Sequence, residues 1–463
     1  MSFTEKYTKA FKYFLPTPFT IAVILSLFTF LIALFFTKES NHSIISYSFE
    51  LLKHWEEGVW NSSSLVFAIQ MMLMLVLGHA LALTKPFNSL INLLVKHCTT
   101  NAKSAALVTL LTVLVSLFNW GLGLIFGAIF ARKVAEHAQS NQLKINYPLI
   151  GAAGYSGLMV WHGGLSGSSL SKVAETNHLK EMMSGLLSPE KMDLLPEKIT
   201  YWETVGSTMN LAIMGLVITI LPILMYYVGK KVSNQPITLP TSSIESTNLS
   251  TLDGAEKLDH SNFFSIFFGS CILAYLIFKI AIDYHFNVLD FFTPNNINLL
   301  LFSLAILFHS NFINFLSAID EAIVGASGIL IQFPLYFGIM GIMKGSGLVT
   351  DISNFFVVIS NELSFPIYTF FSAGLVNIFV PSGGGQWAVQ GPIIIKSALE
   401  LGVSLPKSIL ALAYGDQLTN MLQPFWALPL LGITGLKAKQ ILPYTLILMM
   451  AGLIIYSCCL FFF

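Results

Sequence analysis

The chemistry-bearing residues gather where apolar segments are broken. One stretch reads Val380-Pro381-Ser382-Gly383-Gly384-Gly385-Gln386-Trp387, and another reads Asn119-Trp120-Gly121-Leu122-Gly123. Proline and clustered glycine end a helix. The helix that restarts afterwards offers free N–H groups at the positive end of its dipole, which attract anions. The free carbonyls of the preceding helix attract cations. Glycine lets a ligand approach the backbone closely. One such tip can therefore hold a carboxylate and a coupling ion side by side. Ser382, Gly383, Gly384, Gly385, Gln386 and Trp387 are candidate substrate-binding residues. Asn119, Gly121 and Gly123 offer the same chemistry at the other tip. The bland alternative is a glycine-rich kink or small-residue helix packing.

Two further segments break in the same manner. Trp161-His162-Gly163-Gly164-Leu165-Ser166-Gly167-Ser168-Ser169 is one, and Tyr414 to Pro424 is the other. Ser166, Ser168, Asn420 and Gln423 could bind a small polar group there, or bond back to their own helices. Asp416 is the only acid well inside an apolar segment. It lies about 13 Å along a helix from the segment's start, near the membrane midplane. A buried acid in such a place is expensive and points to function. It could carry a proton or ligate Na⁺, with Asn119 and Asn377 as neighbours in an ion site. His79 and His162 could relay protons or serve as packing residues. No group has the spacing of a transition-metal site or a hydrolase, so the chain is not expected to be an enzyme. No cofactor is expected beyond a bound Na⁺.

These residues need elements to hold them, and composition names the class. The 463 residues are 54% hydrophobic and 10% charged, against roughly 25% charged in a soluble domain. That excludes a soluble globule and a disordered chain. Four cysteines exclude a disulfide scaffold, and 24 basic residues against 24 acidic ones give no electrostatic footprint for nucleic acid. Only Arg132 among the basic residues is arginine, so a bound anion must rely on backbone N–H groups and neutral side chains. The expectation is an all-α polytopic protein in the bilayer.

A span needs about 20 apolar residues. Charge-poor windows at 13–37, 58–84, 145–171, 204–229, 261–278, 291–319, 322–343, 408–436 and 440–463 give nine crossings. Windows 104–131 and 363–395 carry the glycine breaks and read as re-entrant hairpins, because irregular backbone at membrane depth must be shielded by protein or water. The positive-inside rule agrees. Lys6, Lys9 and Lys12 place the N-terminus inside, and the C-terminus falls outside. The stretch 38–57 reads as an outer loop.

An internal repeat follows. Asn119 and Asn377, Pro148 and Pro406, and Gly157 and Gly415 are each 258 residues apart. The order of elements recurs: two spans, an amphipathic stretch, a hairpin, an interrupted span and a span. The halves enter from opposite faces, as in inverted-repeat secondary transporters. The expected division is 1–229 for the first repeat, 230–260 for a cytoplasmic linker, 261–290 for a connector helix and 291–463 for the second repeat.

The motifs around Asn119, Ser166-Gly167-Ser168, Val380–Trp387, Gln390-Gly391-Pro392, Ala413–Gln417 and Gln423–Pro429 resemble the bacterial short-chain fatty acid transporter family. The resemblance runs from about residue 14 to the C-terminus. It implies uptake of acetoacetate, butyrate or similar acids across the bacterial cytoplasmic (inner) membrane, coupled to H⁺ or Na⁺, with an elevator-like movement. The carboxylate would rest between the tips, its tail among Trp387, Phe425 and Trp426. A homodimer is compatible with this reading. The family often has histidine at Gln386, glutamate at Asp416 and glycine at His162, so this chain relocates a protonatable group. Alternatives are a carrier or exporter of another anion (a dicarboxylate or an aminobenzoyl compound), a channel, or an intramembrane enzyme. The last needs a nucleophile–base pair or metal cluster that the spans do not supply.

Overall fold

The computed structural model describes residues 16–38, 43–184, 186–234, 239, 254–284, 291 and 293–463. Lys6, Lys9 and Lys12, most of the linker 232–260 and residues 285–290 of the connector lie outside them. Among the described residues, seven helices are long and apolar enough to cross a membrane, and regular structure is helical throughout. The chain is a multi-pass membrane protein.

The first half builds α1 (Pro18–Phe36), α2 (Ile44–Val59), α3 (Ser62–Ala82), α4 (Lys85–Val95), α5 (Asn101–Phe118) and α6 (Trp120–Ser140). It continues through α7 (Tyr147–Tyr155), two 3₁₀ turns (Ser156–Met159 and Trp161–Gly163), α8 (Ser168–Ala174), α9 (His178–Met183) and α10 (Thr208–Lys231). After α11 (Asn262–Ile282) come α12 (Pro294–His309), α13 (Phe312–Ile323), α14 (Ser327–Gly345), α15 (Leu348–Val358), α16 (Phe365–Phe379) and α17 (Gly383–Leu401). The chain ends with α18 (Leu405–Thr419), a 3₁₀ turn (Asn420–Leu422), α19 (Pro424–Thr434) and α20 (Ala438–Phe462).

Both glycine windows break where expected. Asn119 separates α5 from α6 in extended backbone and caps α6, its side chain accepting from Leu122 N–H at 3.0 Å. Residues 380–382 separate α16 from α17, and Ser382 caps α17 by accepting from Gly385 N–H at 3.1 Å. Each pair of helices then folds back on itself. Gly123 packs on Ser116 and Gly127 on Thr112, with no room for a Cβ. In the second pair, Gln386 Nε2 donates to Ala373 O at 2.8 Å, and Gln390 Nε2 to Ser372 Oγ at 3.1 Å.

The 258-residue offset reappears in the packing. Gly157 abuts Thr112 and Ser116, and Gly415 abuts Phe370 and Gly374, the positions 258 further on. Pro148 and Pro406 both lie in the first turn of their helices, α7 and α18. The amphipathic stretches are the eleven-residue helices α4 and α15, each preceding a folded-back pair.

One element differs from the sequence reading. The stretch assigned to an outer loop contains α2, which buries Tyr47, Leu51 and Val59 while its acids face away. Its four charged residues, Glu50, Lys53, Glu56 and Glu57, concealed an amphipathic helix. The window 291–319 is divided too, its crossing, read as 291–309, ending with α12 at His309. Ser310 adopts φ 68°, a left-handed conformation that stops α12 before Asn311 caps α13.

Arg132 has a structural task. Its Nη1 donates to Ile433 O at 2.9 Å, at the carbonyl end of α19, and its Nε to Glu136 at 3.0 Å. The sole arginine is thereby held away from the tips.

Candidate functional site

The site is assembled where α17 starts and where α18 and the 161–163 turn pass it. Asp416 lies inside α18 and is 1% exposed. Its Oδ2 stands 3.0 Å from His162 Nδ1, on the first-half 3₁₀ turn. The other ring nitrogen of His162, Nε2, accepts from Ser169 N–H at 3.1 Å. A backbone amide can only donate, so Nε2 carries a lone pair and the ring proton of neutral His162 sits on Nδ1. Nδ1 and the carboxylate oxygen lie at ion-pair distance with no hydrogen bond between them. Protonating Nε2 as well would set two donors against each other. The pair therefore sets the His162 imidazole against a buried carboxyl group.

Several contacts hold this geometry. Gln417 Oε1 accepts from His162 N–H at 2.9 Å and from Gly163 N–H at 3.2 Å. Asn210 on α10 donates to Gly163 O at 3.0 Å and accepts from Tyr414 OH at 2.8 Å. The indole of Trp161 stacks on the His162 ring at 4.5 Å between centroids. Gly383, first residue of α17, lies against the pair. A Cβ there would fall 3.0 Å from His162 Cε1, 3.1 Å from Asp416 Oδ2 and 2.7 Å from the Trp161 ring. The second tip thus meets the buried acid directly, and only glycine fits between them.

An amide cluster flanks Asp416. Asn377 Nδ2 donates to Asp416 O at 2.7 Å, to Thr419 Oγ1 at 2.9 Å and to Asn420 Oδ1 at 2.9 Å. Gln423 Nε2 donates to Asn377 O. Asn377 Oδ1 and Gln423 Oε1 are buried and accept no hydrogen bond among the described residues. Neutral carbonyl oxygens of this kind are suitable ligands for a hard cation. The expected ion site therefore divides. Asn377 is adjacent to Asp416, while Asn119 is engaged in capping α6.

The other expected residues take distinct places. Gly121 packs on Met74 and Gly123 on Ser116. Ser166 Oγ accepts from Trp120 N–H at 2.9 Å, which ties the first tip to the broken segment. Ser168 begins α8, but its neighbour Ser169 is the one that contacts His162. Gln386 is directed into α16. Trp387 donates to His178 Nε2 at 3.0 Å, away from the aromatic group formed by Trp120, Trp426 and Phe425. There Trp120 and Trp426 meet edge to face at 5.3 Å, and Phe425 and Trp426 at 5.1 Å.

A cavity of about 510 Å³ reaches the second tip and is lined there by Pro381, Ser382 and Gly385, with Phe67 and Phe425 on its apolar side. Its opposite wall comes from α2 and the end of α14, including His54, Glu57 and Lys344. Sequence reasoning missed Lys344 because it stands at the edge of a charge-free window. It left His162 undecided because its partner is 254 residues away. Ser169 and Gln417 lay within the broken segments but were not picked out from their neighbours as site residues.

Comparison with known proteins bears on the family. A sequence profile described as Short chain fatty acid transporter matches residues 2–463. A protein of Escherichia coli (strain K12), provisionally described as a short-chain fatty acid transporter, is 35% identical over 435 residues, which cover 93% of this chain and 92% of that protein. One of Haemophilus influenzae (strain ATCC 51907 / DSM 11121 / KW20 / Rd) with the same description is 34% identical over 439 residues, covering 93% and 92%. Among solved structures, the Alcanivorax borkumensis YdaH transporter aligns with TM-score 0.40 at 14% identity, over 96% of this chain and 98% of that one. Neisseria gonorrhoeae MtrF, described among antimetabolite efflux pumps, aligns with TM-score 0.40 at 13% identity over 97% of each. At those scores nothing further follows for this chain. The profile and the two relatives, each spanning nearly the whole chain, place this protein in the short-chain fatty acid transporter family.

Proposed function

We propose that this protein is a secondary active transporter of short-chain carboxylates such as butyrate and acetoacetate, residing in the bacterial cytoplasmic membrane and coupled to H⁺. The observation that carries the reading is the Asp416–His162 pair lying against Gly383 at the start of α17. The first-turn N–H groups of α17 and Ser382 bind the carboxylate where they face the cavity. Phe67 and Phe425 accept the short tail. Asp416 carries the coupled proton. Ionised, it is a charge held at 1% exposure with His162 Nδ1 3.0 Å away, and neutralising it relieves that cost.

The folded-back pairs α5–α6 and α16–α17 act as re-entrant hairpins, and the two repeats, 1–229 and 291–463, supply the opposed halves of an alternating-access cycle. The N-terminus lies inside and the C-terminus outside. A second reading has Na⁺ as the coupling ion. It is favoured by the unpaired oxygens Asn377 Oδ1 and Gln423 Oε1 beside Asp416.

The test is uptake of labelled butyrate and acetoacetate by proteoliposomes under a pH gradient or a Na⁺ gradient, imposed separately. Acceleration by an inward H⁺ gradient alone supports proton coupling, and acceleration by Na⁺ alone supports the second reading. Flat uptake under both removes the transport proposal.

A further inference from the structure

We propose that Lys344 is the cationic contact that captures the substrate carboxylate in the cavity beside the α17 tip and restricts the transporter to monoanions. This rests on the carboxylate-transport reading above and names the side chain that reading lacks.

Lys344 stands in the last turn of α14, is exposed and lines the cavity that Ser382 and Gly385 close on the far side. Its ammonium makes no ion pair among the described residues. Other cations are differently placed. Arg132 is held by Glu136 and Glu321, Lys133 by Glu136, Lys172 by Glu175 and Lys191 by Glu400. The acid in the same cavity, Glu57, faces Lys53 at 3.8 Å and His54 at 3.6 Å on its own helix. The wall thus offers an uncommitted positive charge to whatever enters.

The chemistry suits a small carboxylate. A lysine ammonium is a compact charge on a flexible stem, able to follow an anion that must then move on. A fixed bidentate clamp would hold it more rigidly. One free cation balances one carboxylate, and the second charge of a dicarboxylate would have Glu57 nearby and no partner. Phe67, Phe337, Met340 and Phe425 in the same wall provide apolar surface for a short chain. The structural alternative is a lysine that merely complements the carbonyl end of α14.

The experiment measures initial rates of labelled butyrate uptake in proteoliposomes for the wild type, Lys344→Gln and Lys344→Arg, at low and high ionic strength. Thermal unfolding of each purified variant is followed in parallel. Losing the contact should raise KM roughly tenfold in Lys344→Gln, with Vmax within about twofold. Lys344→Arg should restore most of the affinity. The wild-type KM should rise with salt while that of Lys344→Gln stays flat, since screening acts only where the charge remains. Succinate should compete poorly with butyrate in the wild type. A Lys344→Gln protein with wild-type KM and wild-type salt dependence overturns the proposal. So does one whose only change is a lower unfolding temperature, which assigns Lys344 to the helix end. If the wild type moves no carboxylate, the transport reading itself fails, and that result is distinct from both.

Discussion

His162 Nδ1 lies 3.0 Å from Asp416 Oδ2, and the Ser169 amide on the far side of the ring decides which nitrogen bears the proton. A histidine from the first half is thereby set against an acid from the second half. If Asp416 carries the coupled proton, Asp416→Asn removes the titrating group but retains a polar side chain of the same shape. Gradient-driven uptake should vanish while substrate counterflow persists. Driven uptake at the wild-type rate in that variant would sink the role.

The contact of His162 with Asp416 has its own test. His162→Asn can present an N–H near the Nδ1 position, whereas His162→Leu cannot. A hydrogen bond to a buried charged group is worth about 1.5–3 kcal/mol. Uptake should fall within roughly tenfold for the asparagine variant and by a larger factor for the leucine variant. Equal activity of the two variants would show that the contact is packing alone.

Neighbouring glycines at the tip separate space from binding. A Cβ on Gly383 would collide with Trp161 and crowd Asp416, but one on Gly384 meets nothing within 4 Å. Gly383→Ala should lower both the unfolding temperature and uptake. Gly384→Ala should leave the unfolding temperature unchanged and raise the butyrate KM, because the methyl group would stand where the carboxylate approaches the N–H groups. An unaltered KM in Gly384→Ala would move the substrate elsewhere.

The glycine pair at the 258-residue offset predicts matched stability losses. Gly157 packs on Thr112 and Ser116, and Gly415 on Phe370 and Gly374. Overpacking such sites costs about 1–3 kcal/mol. Gly157→Ala and Gly415→Ala should each lower the unfolding temperature measured in detergent, by similar amounts. A neutral result at either position would break the equivalence.

His178 gives a pH dependence outside the membrane spans. Burial lowers its pKa below the usual 6.5, and its Nε2 must stay unprotonated to accept from the Trp387 N–H. The folded state therefore binds the proton less readily than the unfolded one. The contact's contribution is complete above pH 6.5 and is lost as pH falls through the lowered value. Tryptophan fluorescence should shift on acidification below 6.5, and the shift should disappear in His178→Phe. A persistent shift in that variant would assign the titration to another group.

The sequence by itself determined the class, the helical breaks and the main acid. Charge content, glycine and proline act locally, through hydration and backbone freedom, so they are readable without partners. The breaks at Asn119 and at 380–382 and the burial of Asp416 were legible for that reason. The helix α2 was not, since its acids conceal a buried face that exists only against α14. The tertiary structure alone decided which residues meet: His162 with Asp416, Ser169 with His162, and Lys344 with the tip across a cavity. The second and third depend on folding-back within one half, and the first on the approach of two halves 254 residues apart. Neither spacing nor residue type in the linear chain encodes that approach.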